Sequence, residues 1–148
     1  FVREQTARSS SHPRVACLEW FDPIYAAGHW VPEMVELAGG HDVLGRKGEP
    51  SAKIHWKQVV EMAPDVIVLM PCGFDVQRTA NEATILEQLD GWHDLPAVKA
   101  GRVFAVNGHA FFSRPGPRLV DGLELLAHFI HPEIFPMQKS PDAFQKTT

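Results

Sequence analysis

The segment Asp65-Val66-Ile67-Val68-Leu69-Met70 most constrains what this chain can fold into. It is nearly all apolar, rich in β-branched residues, and too short to stand as a helix. It shows no alternation of polar and apolar residues, so neither face can look at water. A strand covered on both faces belongs to a parallel sheet held between helices. Two further runs have the same character. Arg14-Val15-Ala16-Cys17-Leu18-Glu19-Trp20 is closed by the Asp22-Pro23 turn, and Val103-Phe104-Ala105-Val106 follows the turn at Lys99-Ala100-Gly101-Arg102.

Helical patterns lie between these runs. Val31, Met34, Val35 and Ala38 share one helical face, with Pro32 in the first turn and Gly39-Gly40 as the stop. Trp56, Val59, Val60 and Met62 mark a second helix, ended by Pro64-Asp65. Asp75 is placed to cap a third, running to about Leu89. A fourth begins near Pro117 and keeps Leu119, Val120, Leu123, Leu126, Ala127 and Ile130 in one apolar stripe until His131-Pro132. Strands separated by helices, with no hairpin dipeptides between them, predict parallel β-α-β units. The expected fold is α/β, a small Rossmann-like three-layer domain with a mostly parallel sheet.

The boundaries follow from polarity. Residues 1–13 end in Ser9-Ser10-Ser11-His12-Pro13 and read as the end of a helix or a linker; residues 14–133 form the domain; residues 134–148 read as a loosely held tail. A length of 148 residues suits one core. The net charge of −4 and the lack of a basic run argue against a nucleic-acid partner. The longest apolar stretch, Val66 to Cys72, falls far short of the roughly 18 residues of a membrane span. Residues 1–8 are polar and do not read as a signal peptide. Cys17 and Cys72 lack CxxC spacing, which gives no zinc knuckle and no disulfide framework.

In open α/β sheets, ligands gather at the carboxyl ends of the strands. Three loops fall there and are expected to form one wall of a small-molecule cleft. The first, Glu19-Trp20-Phe21-Asp22-Pro23, brings Trp20, Phe21 and Asp22, then Tyr25, His29 and Trp30, a density of flat rings suited to a flat ligand. Each ring alone reads equally well as a lid on the core. The second, Pro71-Cys72-Gly73-Phe74-Asp75, projects Cys72 and Phe74 beside a helix start. The third, Asn107 to Arg118, carries His109, Phe111, Phe112, Arg114 and Arg118, suited to an anionic or amide-bearing ligand. Cys72 as nucleophile with His109 as base is the enzymatic alternative, against a buried inert thiol. His29 and Glu33 have i,i+4 spacing, but two ligands are too few for a metal site. GxGxxG, the P-loop, HExxH and GxSxG patterns are absent.

Arg14 to Trp20, Gly28-His29-Trp30-Val31-Pro32-Glu33, Pro71 to Asp75 and Phe112 to Arg118 together resemble the cobalamin-type substrate-binding proteins of ABC importers, the class III, helical-backbone periplasmic group. The resemblance covers residues 14–133. It implies two α/β lobes joined by one long helix, with this chain as the C-terminal lobe after the end of that helix and the N-terminal lobe missing. It further implies a periplasmic or cell-envelope location, no enzymatic activity and no cofactor. The implied ligand is cobalamin, another corrinoid, or a related tetrapyrrole or iron chelate, held between lobes and delivered to an ABC transporter permease. Such permeases recognise an acidic residue on each lobe. Where the family often carries an acid, this chain reads His55-Trp56-Lys57-Gln58, with Glu49 and Glu61 nearby. A lobe standing alone would expose its aromatic wall and act as a homo-oligomerising module.

Overall fold

The computed structural model describes residues 2–112, 116–136 and 143–147. Among them, one sheet contains β1 (Arg14–Phe21), β2 (Ile24–Ala26), β3 (His41–Asp42), β4 (Ala52–Lys53), β5 (Val66–Leu69), β6 (Val103–Val106) and β7 (Phe144–Lys146). The helices are α1 (Val2–Thr6), α2 (Val31–Leu37), α3 (Trp56–Met62), α4 (Val76–Glu82), α5 (Pro96–Lys99), α6 (Gly108–Phe111) and α7 (Arg118–Ile130).

The three apolar runs form the parallel centre, as expected. β1 pairs with β5 and β5 with β6, both parallel, and every residue of β5 and β6 is buried. Side chains alternate between two helical layers. Val15, Cys17, Val66, Val68, Phe104 and Val106 pack with residues of α1, α2 and α7. On the other face, Ala16, Leu18, Ile67, Leu69 and Val103 pack with Val59, Leu86, Trp92 and Leu95. This is the three-layer α/β arrangement read from the sequence. Val31, Met34, Val35 and Ala38 all lie buried along α2. The last carbonyls of α7, at Phe129 and Ile130, accept from Arg102 Nη2 at 2.8 and 2.9 Å, which satisfies orphan groups at that helix end.

Four expectations are corrected. The chain does not go from β1 directly to a helix: Asp22 and Pro23 form a hairpin turn, and β2 pairs antiparallel with Phe21↔Ile24 and Trp20↔Tyr25 in register. Asp-Pro makes this turn in place of the glycine-containing dipeptides sought as a hairpin signal. The segment from residue 134 is not simply a loose tail, because β7 pairs antiparallel with β6 and buries Phe144 against Phe129 and Phe104. Its charged and polar neighbours fit an edge strand with one ring turned inward. The helix from Asp75 changes to 3₁₀ geometry over Ala83–Gln88, where Thr84 Oγ1 donates to the Asn81 carbonyl at 2.9 Å and β-branched Thr84 and Ile85 crowd the α-helical turn. Val120 is 61% exposed rather than part of the stripe. It lies opposite Gly122, Leu125, Leu126 and Phe129, the buried side of α7.

Candidate functional site

A cavity of about 220 Å³ opens beyond the carboxyl ends of β1 and β5. Its apolar lining includes Trp30, Val31, Met70 and Phe112, and its polar side chains are Glu19, His29 and Cys72. The local chain path explains each position. Between Leu18↔Ala26 and Trp20↔Tyr25 the β1–β2 register shifts by one residue, which leaves Glu19 as the extra residue of a bulge. Bulges bend a strand and re-aim a side chain. Ser51 Oγ donates a short hydrogen bond to Glu19 Oε2 and accepts from the Gly28 N–H at 3.2 Å.

His29 has φ of 56°, the left-handed region that a side chain disfavours. The loop beneath holds it there: the His29 N–H donates to the Glu49 carbonyl at 2.6 Å, and its own carbonyl accepts from the Gly48 N–H at 3.0 Å. Backbone strain of this kind persists only where the surroundings over-determine it. The imidazole lies 5.6 Å from the Trp30 ring, tilted by 35°. Trp30 is in turn fixed by its Nε1–H, which donates to the Phe112 carbonyl at 3.0 Å and joins the start of α2 to the end of α6. Phe112 is buried.

A second cavity of about 140 Å³ lies further along the same edge, lined by Trp20, Phe21, Asp22, Phe74, Glu82 and Ile85. Trp20 meets Phe74 edge-on at 5.3 Å, and the Arg78 guanidinium covers the Phe74 ring at 3.8 Å. Asp75 caps α4 by accepting from the Arg78 N–H at 2.8 Å, as its position predicted. Trp20 and Ile85 are two of the exposed large apolar side chains.

The residues selected from sequence therefore separate. His29, Trp30, Cys72 and Phe112 share the first cavity; Trp20, Phe21, Asp22 and Phe74 share the second. Phe21 also packs into the core. His109, Phe111 and Arg118 line neither, and the Arg118 guanidinium lies 5.5 Å from the Phe111 ring centre. Arg114 falls outside the described residues. Cys72 is exposed, which corrects the buried-thiol alternative. It forms no hydrogen bond with His109 among the described residues. Cys17 is the buried thiol, and burial first, then the nearby Asp42 charge, push its pKa well up. Among the described residues no group of three or more His, Cys, Asp or Glu side chains is placed to hold a metal ion. Nor is any helix long and apolar enough to cross a membrane.

Sequence reasoning gave no ligand role to Glu19, Met70 or Ser51, although Glu19 opens the first of the three loops. Glu19 carried a readable signal: it follows Val15 and Cys17 on one strand face and is the first charged residue there. Ser51 carried none, because its role depends on the fold bringing it to Gly28.

An open α/β sheet with its cavity at the strand ends defines the class of ligand-binding α/β lobes. The chain belongs to the periplasmic binding protein family, which its residues 2–109 match. It is 33% identical over 94 residues to the uncharacterized ABC transporter substrate-binding lipoprotein YvrC of Bacillus subtilis (strain 168), covering 64% of this chain and 29% of that protein. The fold superposes on the periplasmic vitamin B12 binding protein BtuF of Vibrio cholerae with a TM-score of 0.66 and 25% identity, over 93% of this chain and 50% of that one. It superposes on a periplasmic heme binding protein from Pseudomonas aeruginosa with a TM-score of 0.74 and 19% identity, over 99% and 54% of the respective chains. The chain thus spans about a third of the curated relatives it matches and about half of these solved chains.

Proposed function

We propose that this chain is one lobe of the solute-binding component of an ABC importer, and that it holds a flat corrinoid or related tetrapyrrole or iron-chelate ligand for delivery to a permease in the cell envelope. The observation that carries this is the first cavity: an apolar wall of Trp30, Val31, Met70 and Phe112 with, among the described residues, three polar side chains. That mixture suits orientation of a large, mostly apolar ligand. Its volume of about 220 Å³ is below the roughly 300–1,000 Å³ of complete small-molecule sites. A half-site, closed by a second lobe, accounts for the shortfall, and the second cavity around Trp20 and Phe74 extends the wall along the same edge. The relative described as a vitamin B12 binding protein supports the corrinoid choice within this class.

Holding is favoured over transforming. Cys72 and His109 share no hydrogen bond, so the nucleophile and base of the enzymatic alternative are not coupled. At the proposed permease-facing segment, which forms helix α3, Lys57 pairs with Glu61 one turn on at 3.7 Å, both well exposed, so an acidic group does stand there beside the lysine.

Titration of tryptophan emission with cobalamin, cobinamide and haem tests the reading. Saturable quenching by at least one ring is expected, weakened by Trp30→Phe. No response to any of the three from a protein that carries both lobes removes the planar-ligand proposal.

A further inference from the structure

We propose that Glu19 determines specificity, selecting ligands that present hydrogen-bond donors (amide or cationic nitrogen) to the cavity over ligands that present carboxylates; this rests on the solute-binding reading above. The bulge is the device that places it. Val15 and Cys17, earlier on the same strand, are buried in the core, and the one-residue register shift turns the next side chain on that face to the cavity. The carboxylate that arrives there is anchored. Ser51 Oγ donates to Oε2, and the Gly28 N–H fixes that hydroxyl in place. Oε1 has no partner among the described residues and is the atom left for a ligand.

No Lys or Arg stands in the lining among the described residues, and His29 is its one basic side chain; Lys47 is paired with Glu36, and Arg118 stands over Phe111. An ionised carboxylate offers acceptors only. A ligand N–H facing Oε1 gains a charge-assisted hydrogen bond, whereas a ligand carboxylate brings like charges together in a partly desolvated site. Sites built around a polar group reject the analogue that cannot satisfy it far more strongly than apolar pockets reject a misfit.

The test uses one ring with two peripheries: cobinamide, which carries amides, and cobyrinic acid, which carries carboxylates. Both are titrated into the chain and into Glu19→Gln, followed by tryptophan emission. The chain is expected to bind cobinamide tighter by about tenfold or more. Glu19→Gln, which keeps an acceptor for Ser51, is expected to bring the two within about threefold while leaving the melting temperature in place. Ser51→Ala keeps the charge but releases its anchor, and is expected to reduce the ratio partway. Equal binding of both rings by the unsubstituted chain overturns the proposal without any variant. So does a ratio that Glu19→Gln leaves unchanged. If neither ring binds, the corrinoid choice within the solute-binding reading fails and the inference falls with it, a result distinguished from the others because no ratio exists.

Discussion

The substitution Gly28→Ala probes the seating of the loop that carries Ser51 beneath the cavity. A Cβ on residue 28 would stand 2.5 Å from the Glu49 carbonyl oxygen, 2.6 Å from the Pro50 carbonyl carbon and 2.6 Å from the Ser51 nitrogen. All three are backbone atoms, so no side chain can swing aside and the segment itself must move. Overpacking of this kind costs about 1–3 kcal/mol. Displacing Ser51 also weakens its bond with the Gly28 N–H, about a further 1 kcal/mol. The total, about 2–4 kcal/mol, lowers the melting temperature by about 6–12 °C in a chain of this size. Gly48 supplies the internal control. A Cβ there meets nothing within 4 Å, although its φ is +72°, so Gly48→Ala should show only the conformational penalty of about 1 kcal/mol. Thermal unfolding followed by circular dichroism measures both. Equal melting temperatures for the two variants would refute the close approach of residues 49–51 to Gly28, and with it the anchoring of Glu19.

Other consequences are equally direct. Ellman's reagent should modify one thiol rapidly in the native chain, exposed Cys72, and the second, buried Cys17, only in denaturant; two fast thiols would contradict the placement of Cys17. Burial raises the Asp42 pKa above its ordinary 3.8, against the lowering effect of the Gly45 and Leu44 amides, and its Oδ2 is buried without a partner. In the pH range above 3.8 and up to its raised value the folded chain therefore holds a proton that the unfolded chain has released, so stability is lost as pH rises. Asp42→Asn should remove that slope in denaturant titrations across this range, and an unchanged slope would count against it. Leu126 of α7 is fully buried between helix and sheet, so Leu126→Ala should cost about 2–5 kcal/mol by the same assay, whereas Val120→Ala on the exposed side should cost under about 0.5.

The central layer was legible because burial on both faces leaves a sequence no choice of composition. Val66–Leu69, Val103–Val106 and the start of β1 could be read at once, as could the buried face of α2. The edges were less so. β2, β3, β4 and β7 have two or three residues each, and strands so short show no period; their pairing is decided by what the rest of the sheet leaves open. The candidate site divided along the same line. His29, Trp30 and Cys72 follow turns that glycine and proline mark in the sequence. The separation of Trp20 from them follows strand alternation, with Trp20 continuing the face of Ala16 and Leu18 and Glu19 that of Val15 and Cys17, whereas the meeting of Trp20 with Phe74 depends on the fold bringing two loops together.

The central claim is that the cavity bounded by Glu19, His29, Trp30, Cys72 and Phe112 is where this lobe receives its ligand. Amide chemical shifts of the ¹⁵N-labelled chain, recorded as cobinamide is added, test it most directly. The account predicts saturable changes concentrated at residues 19, 28–31, 70, 72 and 112, with the amino end of the sheet around Arg14, Asp65 and Arg102 unmoved. Changes centred on Arg14, Asp65 and Arg102, or none at saturating cobinamide, would contradict it.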